Sequence, residues 1–475
     1  MALTIPRRRL VRQTYATPGR DANGKHFLGK SPTWTPTSRL RVLCLDERTR
    51  LDYTVGMALP ATAFAGDRQL GLSEVVEKYP DVPRLVALKI DVQRRGVHYT
   101  EETLRHVDET KHQLRGTYIF GSRDAALTPL PESLILRDGT TVITDPTPLS
   151  QSPYLVDWAD DRFVLRDGDI VIEEVDLWPQ PAYYDKSTSR GTPMKYVITA
   201  RPQRLNVFTS NFCHFWANNK GCRFCDIVTH LKEQKKEWKI PTRLDPADVE
   251  ETLREALREP GRFTSICLTS GSDTRGPELF DREVDYYVET LQAVGRVFKT
   301  KRFPSQLIAS AFNEKQLARL YAETGLSSYT ADIEVLNERI FDWICPGKAE
   351  RVGYREWQRR LVAAVDIFGR GNVGTGLVGG VELARPNGFT SEDDALKSTL
   401  DEAEDLASHG VTTVYIVWVP RPGSVFRDQK NPSLEYYVRL ARGLHDLRVR
   451  YGLRADFDDY RRCGNHPDSD LSRLL

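Results

Sequence analysis

No run of about eighteen consecutive apolar residues occurs in the chain, so no transmembrane helix is expected. Charge of one sign is missing too. Lysine plus arginine number 67 against 66 aspartate plus glutamate, a net charge of +1. No global field therefore draws the chain to nucleic acid or to an anionic membrane. Cysteine is scarce and odd in number, seven in 475 residues, which excludes a disulfide framework. Three of the seven cluster, and that usage suits a reducing, cytoplasmic compartment. Arg7-Arg8-Arg9 is not followed by an apolar segment, which rejects a twin-arginine export signal. The basic, acid-poor first twenty residues read as a solvated arm, with an organelle transit peptide as a minor alternative. No repeat long enough for a solenoid is present. Residues 1–190 carry no readable catalytic motif, and they lack the Asp-x-His-x-x-Gly pattern of cobalamin-binding domains.

What is present is a soluble, globular composition, 28% charged and 40% apolar, long enough for two or three domains. The chemistry is concentrated in residues 205–227. There an apolar, strand-like run from Leu205 to Phe212 ends in Cys213, Cys222 and Cys225. Eight residues separate the first pair and two separate the second. Three thiolates on a loop just past a strand make a soft, anionic pocket for an iron–sulfur cluster or zinc. A cube of four irons with three protein ligands leaves one iron open, and catalysis needs an open metal position. The alternative is a structural zinc site with His214 or His230 as fourth ligand. His214 directly follows Cys213, so its ring tends to point away, and His230 lies five residues past Cys225, a poor but possible spacing.

Cys222-Arg223-Phe224-Cys225 resembles the C-x-aromatic-C half of the signature of the radical S-adenosylmethionine (SAM) superfamily, although the first gap is wider than usual. The resemblance implies that Cys213, Cys222 and Cys225 hold a [4Fe–4S] cluster, with Phe224 beside it. Its fourth iron takes the amino and carboxylate groups of SAM. One electron then cleaves SAM to methionine and a 5′-deoxyadenosyl radical, which abstracts a hydrogen atom. The cofactors supply that chemistry and the protein orients them.

Taken in order, residues 1–40 read as an extended arm without periodicity. Residues 41–195 read as an α+β accessory domain. It mixes short apolar runs such as Arg41–Leu45 and Leu85–Val92 with helical stretches near Leu72–Tyr79 and Glu101–Leu114. Two hairpins follow, signalled by Arg137-Asp138-Gly139 and Arg166-Asp167-Gly168 between β-branched runs. A scaffolding or barrel-capping role is favoured for this domain. From residue 200 to 455, strands alternate with helices. Strands are expected at 205–212, 264–269, 306–311, 328–335, 373–381 and 412–419. Helices are expected at 246–258, 282–298, 314–324, 354–368, 392–409 and 433–451, and a polar insertion at Lys232–Lys239 follows the cysteines. Asp245 caps the first helix and Gly410 stops the fifth. Six such units predict a parallel sheet under helices, an α/β fold of the partial (β/α)6 TIM-type barrel kind. Residues 456–475 form a C-terminal tail expected to fold over the barrel mouth.

In such sheets the chemistry gathers at the C-terminal strand ends, where the three cysteines lie. The resemblance then assigns the later strand ends to SAM. Thr269, Ser270, Gly271 and Ser272 after the second strand match the site for its amino group, in the Thr-Ser-Gly form of biotin-synthase-like members. Asp332 and Glu334, at alternate positions of the fourth strand, point to one side. They need partners to be buried, which SAM hydroxyls and ammonium provide. With Ile344-Cys345-Pro346-Gly347-Lys348 they resemble the branch of biotin synthase and the hydrogenase-cofactor maturases. Arg360 is a candidate for the SAM carboxylate. Val378 and Val419, at the ends of the fifth and sixth strands, are candidates for adenine. Cys345, Cys463 and His466 are candidate catalytic groups, able to donate a hydrogen atom or proton or to bind substrate; packing and a solvated tail are the alternatives. The chain reads as a radical SAM enzyme acting on a small-molecule substrate in cofactor or specialised-metabolite biosynthesis. It would draw electrons from a flavodoxin- or ferredoxin-type donor. Two other classes stay open: a zinc-stabilised barrel enzyme, and a non-catalytic scaffold that carries cluster or SAM.

Overall fold

Short β-branched and apolar runs build the first half of the structure. The strands are β1 (Val97–Tyr99), β2 (Leu114–Thr117), β3 (Thr128–Pro131), β4 (Ser133–Leu136), β5 (Thr141–Ile143), β6 (Tyr154–Ala159), β7 (Arg162–Asp167) and β8 (Ile170–Leu177). The Asp-Gly pairs at 138–139 and 167–168 turn β4 into β5 and β7 into β8, with Gly139 at φ 84° and Gly168 at φ 56°. These values lie in the left-handed region that glycine enters without a steric cost. The two hairpins join edge to edge through β4 and β8, giving one sheet ordered β1-β6-β7-β8-β4-β5. Its buried face carries Leu134, Leu136, Val142, Val156, Leu165, Val175 and Leu177. Leu88 and Val92 of the helix Arg84–Arg95 cover that face. The helix at Glu101–His106 is shorter than the expected 101–114, because Asp108 takes the backbone N–H of Thr110 and turns the chain.

The computed structural model describes residues 69–117, 128–202, 204–210, 212–227, 243–453 and 464–475. All of these fall within one unit, Pro60–Leu475. The arm at 1–40, Arg41–Leu45, the Lys232–Lys239 insertion, His230 and Cys463 lie outside the described residues.

The second sheet holds β9 (Thr199–Ala200), β10 (Arg204–Ser210), β11 (Ser265–Ser270), β12 (Ser305–Ile308), β13 (Ser328–Thr330), β14 (Val373–Gly379) and β15 (Val411–Val417). From β10 to β15 the neighbours are consecutive and parallel, and only β9 runs antiparallel, outside β10. Each crossover carries helix: Pro246–Ala256, Asp281–Gly295, Glu314–Glu323, then Tyr354–Phe368 and Glu392–Ser408, with Leu434–Arg450 after β15. Asp245, Asn313, Ser391 and Ser433 accept backbone N–H groups in the first turns of their helices, as N-caps do. The result is a mixed α/β fold with a curled half-barrel sheet. β13 ends at Thr330, short of the expected 335; beyond it Ile333 N–H donates to the Thr375 hydroxyl at 3.0 Å and Glu334 takes a left-handed backbone at φ 73°. Pairing with β14 resumes there as a single bridge, Glu334 to Leu377.

A half-barrel leaves an open edge on β15, and open edges need cover. The C-terminal segment supplies it. His466 donates from Nδ1 to the Tyr415 carbonyl at 2.9 Å, and Tyr415 N–H donates to Asp468 at 3.4 Å. Arg448 donates to the Thr413 carbonyl at 3.1 Å. Two buried ion pairs pin the segment: Lys89 with Asp470 and Arg448 with Asp468, each at 2.6 Å. The two sheets are linked by the fork of Arg421 on both oxygens of Asp145, at 2.7 and 3.0 Å.

Candidate metal centre and cofactor site

β10 delivers the first cysteine. Cys213 N-caps a single helical turn, His214–Ala217, and the chain then doubles back through Asn219 at φ 57° to Cys222 and Cys225. Three neighbours fix this loop. His214 N–H donates to the Ser272 carbonyl at 2.9 Å, which ties the loop to the end of β11. Arg223 N–H donates to the Ile344 carbonyl at 2.9 Å, and Gly347 N–H to the Lys220 carbonyl at 3.1 Å. Val425 N–H, from the segment after β15, donates to the Arg223 carbonyl at 2.9 Å. The cysteine loop thus spans the gap between the first and last parallel strands. Arg421 is half-buried near Cys225 and Asp226; desolvation works against its charge, but Asp145 and Asp226 keep it firmly cationic.

The three thiols are electrostatic neighbours of one another. Burial pushes Cys213 up and Cys225 up to about 12. Cys222 rises as well, first through its hydrogen bond with Cys345 and then through burial. Thiols in this setting keep their protons until a metal replaces them. Among the described residues, no three His, Cys, Asp or Glu side chains are gathered tightly enough for one ion. The all-thiol donor set and the shared burial fit a cluster.

The end of β11 lies directly against the cysteines. A Cβ on Gly271 would stand 2.3 Å from the Phe212 carbonyl and 2.5 Å from Cys213 Cβ, so only glycine allows this approach. Ser270 Oγ and the Tyr287 hydroxyl are 2.8 Å apart, and Ser310 Oγ and Ser272 Oγ are 2.9 Å apart. Beneath them Glu283 is buried and accepts from Ser310 N–H, Ser310 Oγ and Asp273 N–H at 2.8–3.0 Å. Burial pushes its carboxyl up to about 7, against those hydrogen bonds. Thr269 ends the β11 pairing with Ile308 of β12.

Asp332 and Glu334 both line a small cavity of about 60 Å³ with Ile308, Thr330, Gly376 and His466. Asp332 accepts Gly376 N–H at 2.7 Å, and burial raises its carboxyl. Lys348 reaches in from the helix Pro346–Arg351. Its ammonium donates to the Asp332 carbonyl at 2.5 Å and to Glu334 at 2.7 Å, and it lies 4.7 Å above the Trp357 ring. Burial works to lower Lys348, but Glu334, then Cys222 and Cys345, outweigh it and hold it above the ordinary lysine value. Burial pushes Glu334 up to about 7 despite Lys348.

The remaining candidates fall in varied places. Cys345 is fully buried next to Cys222. Phe224 is half-buried against the core. Arg360 is engaged with the Ala311 carbonyl at 2.9 Å and Glu356 at 2.7 Å, at the end of β12. Val378 lines the cavity, its N–H bonded to the Glu334 carbonyl. Val419 is half-buried two residues past β15. His466 lines the cavity from the strand edge, and burial pushes it down to about 3. It is therefore a neutral ring with its proton on Nδ1. Sequence reasoning gave no role to Lys348, Glu283 or Trp216. Lysine one residue past Pro-Gly at a helix start was the readable signal for the first; the other two depend on long-range packing.

No protein-family model matches the chain. Over 283 residues it is 28% identical to bacteriochlorophyllide c C-7(1)-hydroxylase of Chlorobaculum limnaeum, a match that takes in 56% of this chain and 65% of that protein. The chain is thus similar over part of its length to a hydroxylase, and it spans just under two thirds of that relative. Two solved structures share a weaker likeness. Methylornithine synthase (PylB) aligns at TM-score 0.34 and 14% identity, over 57% of this chain and 78% of that one. A radical SAM methyltransferase from Sphaerobacter thermophilus aligns at TM-score 0.38 and 16% identity, over 86% and 100%. Scores this low carry no argument about this chain.

Proposed function

We propose that Cys213, Cys222 and Cys225 hold a [4Fe–4S] cluster, and that SAM binds its open iron and the strand ends around it. When bound, the pair supplies one-electron cleavage of SAM and a radical able to abstract hydrogen from a small molecule. This chain's residues orient the partners. Gly271 lets the end of β11 lie against Cys213 and bring its backbone groups to the SAM amino group, with Ser270 and Ser272 flanking it. Glu334, held in its left-handed bend, and Asp332 face the same cavity and accept hydrogen bonds from SAM. Val378 and Val419 border the adenine, and Arg360 lies close to the carboxylate end. Lys348 offsets negative charge between the carboxylates and the cysteine loop. Cys345, Cys463 and His466 are the candidate donors of a hydrogen atom or proton in this reading.

The supporting observation is the contact of Gly271 with Cys213, which brings the second strand end against the first cysteine. The substrate is a small molecule in cofactor or specialised-metabolite biosynthesis. The curated relative's name describes hydroxylation of bacteriochlorophyllide c at C-7(1), and activation of a C–H bond is the chemistry in common. The match reaches only 65% of that relative, so substrate and product stand as proposals. A flavodoxin- or ferredoxin-type donor in the cytoplasm completes the reading. Anaerobic reconstitution with iron and sulfide tests it. A paramagnetic signal of the reduced cluster that changes on adding SAM supports it; colourless protein with one bound zinc overturns it.

A further inference from the structure

The eight residues between Cys213 and Cys222 are more than a loop needs to bring two cysteines together, and they carry a tryptophan. The turn His214–Ala217 and the reversal at Asn219 fold that segment back on itself. Gly221 then lies flat against the Trp216 indole: a Cβ on it would stand 2.7 Å from Cδ2 and Cε2 of the ring. The indole is thereby wedged between the helical turn and the approach to Cys222. Its Nε1 is buried and makes no hydrogen bond of ordinary geometry among the described residues. The polar group it faces is the Cys225 thiol, whose sulfur also accepts Ile227 N–H at 3.5 Å. A buried N–H without a partner costs about 1–3 kcal/mol. A thiolate sulfur carrying cluster charge removes that cost, because it accepts more strongly than a neutral thiol.

We infer that Trp216 donates its indole N–H to the Cys225 sulfur in the cluster-loaded protein, and that the widened cysteine gap exists to place this donor. The inference rests on the reading that the three cysteines hold a cluster. A donor at a ligand sulfur stabilises the reduced cluster, which carries one more negative charge, more than the oxidised one. Hydrogen bonds to sulfur are among the determinants of cluster potential. Trp216 is a positioning and tuning residue in this account; it touches a ligand and no reacting atom.

The test is a redox titration of the reconstituted wild type, Trp216→Phe and Gly221→Ala, following the signal of the reduced cluster. Phenylalanine keeps the aromatic packing and removes the donor. The added methyl of Gly221→Ala pushes the indole off its place. Both variants should bind the same iron as wild type and titrate at a more negative potential. A Trp216→Phe cluster at the wild-type potential overturns the inference while leaving the cluster reading intact. If Trp216→Phe does not retain iron, Gly221→Ala decides on the same criterion, and an unshifted potential there overturns it. Failure of the wild type to assemble a cluster removes the underlying reading instead.

Discussion

The ammonium of Lys348 lies 2.7 Å from the Glu334 carboxylate, and Glu334 holds that position from a left-handed backbone at φ 73°. A non-glycine residue in that region costs of order 1–3 kcal/mol unless its surroundings compensate, and such strain gathers at functional sites. Here the compensation is visible. Glu334 N–H donates to Gly376 and its carbonyl accepts Val378 N–H, while Lys348 takes the side chain. The pair retains 10% and 17% side-chain exposure, so its worth is below that of a fully enclosed one. Lys348→Met should lose about 2–3 kcal/mol in urea unfolding. A cycle with Glu334→Gln should show a coupling of about 1 kcal/mol or more. Strictly additive losses would contradict the pairing.

Gly271 offers a test of how the strand end meets the cysteines. A methyl there meets the Phe212 carbonyl at 2.3 Å and Cys213 Cβ at 2.5 Å, and neither is a flexible side-chain tip. Gly271→Ala should displace Cys213 and cut iron bound after reconstitution by more than half. Gly295→Ala, whose Cβ finds Phe303 at an ordinary 3.5 Å, should bind wild-type iron. Equal iron in both would show that Cys213 does not depend on this contact.

Glu283 gives a pH dependence with a defined sign. Its carboxyl rises from 4.5 to about 7 through burial. The folded protein therefore keeps a proton that the unfolded chain releases above 4.5. That contribution is present below pH 4.5 and is lost as pH climbs to about 7. It amounts to on the order of 3 kcal/mol across the window. Glu334 and Glu382 titrate in the same range, so the comparison must be between variants. Unfolding free energy of Glu283→Gln should fall less steeply from pH 5 to 7.5 than that of wild type. Parallel pH profiles would assign the proton elsewhere.

The covered edge of β15 can be probed through its buried ion pairs. Lys89 and Asp470 have fully buried side chains, and removing one leaves the other charge stranded. Asp470→Ala should cost about 3–5 kcal/mol, and the apolar double replacement Lys89→Met with Asp470→Leu should recover much of it. Hydrogen exchange at Tyr415 should quicken in the single variant. An unchanged unfolding midpoint would mean the tail is not what closes this edge.

The second half of the fold was legible because alternation between apolar runs and capped amphipathic helices is a local signal. All six parallel strands stand within a few residues of their expected places. Strand ends were less legible. β13 stops at Thr330, ahead of the left-handed backbone at Glu334, and neither glycine nor asparagine marks that position. The hairpins announced themselves through Asp-Gly, but the pairing of β4 with β8 that fuses them joins residues about forty apart, which no local pattern encodes. The same holds for the site. Cys213, Cys222 and Cys225 could be picked from spacing. The buried Glu283 under the β11 end, and Lys348 between carboxylates and thiols, come from contacts made only when the sheet curls. Arg360 could be picked by residue type, while its contacts with Glu356 and Ala311 come only from the fold.

The central claim is that the three clustered cysteines carry a cluster that cleaves SAM. Chromatographic assay of the reconstituted, chemically reduced protein with SAM measures it most directly. The account predicts 5′-deoxyadenosine and methionine in equal amounts from wild type and none from Cys222→Ala. A wild-type protein that holds four irons yet releases no deoxyadenosine under any reductant, or a Cys222→Ala variant that still releases it, would contradict the account.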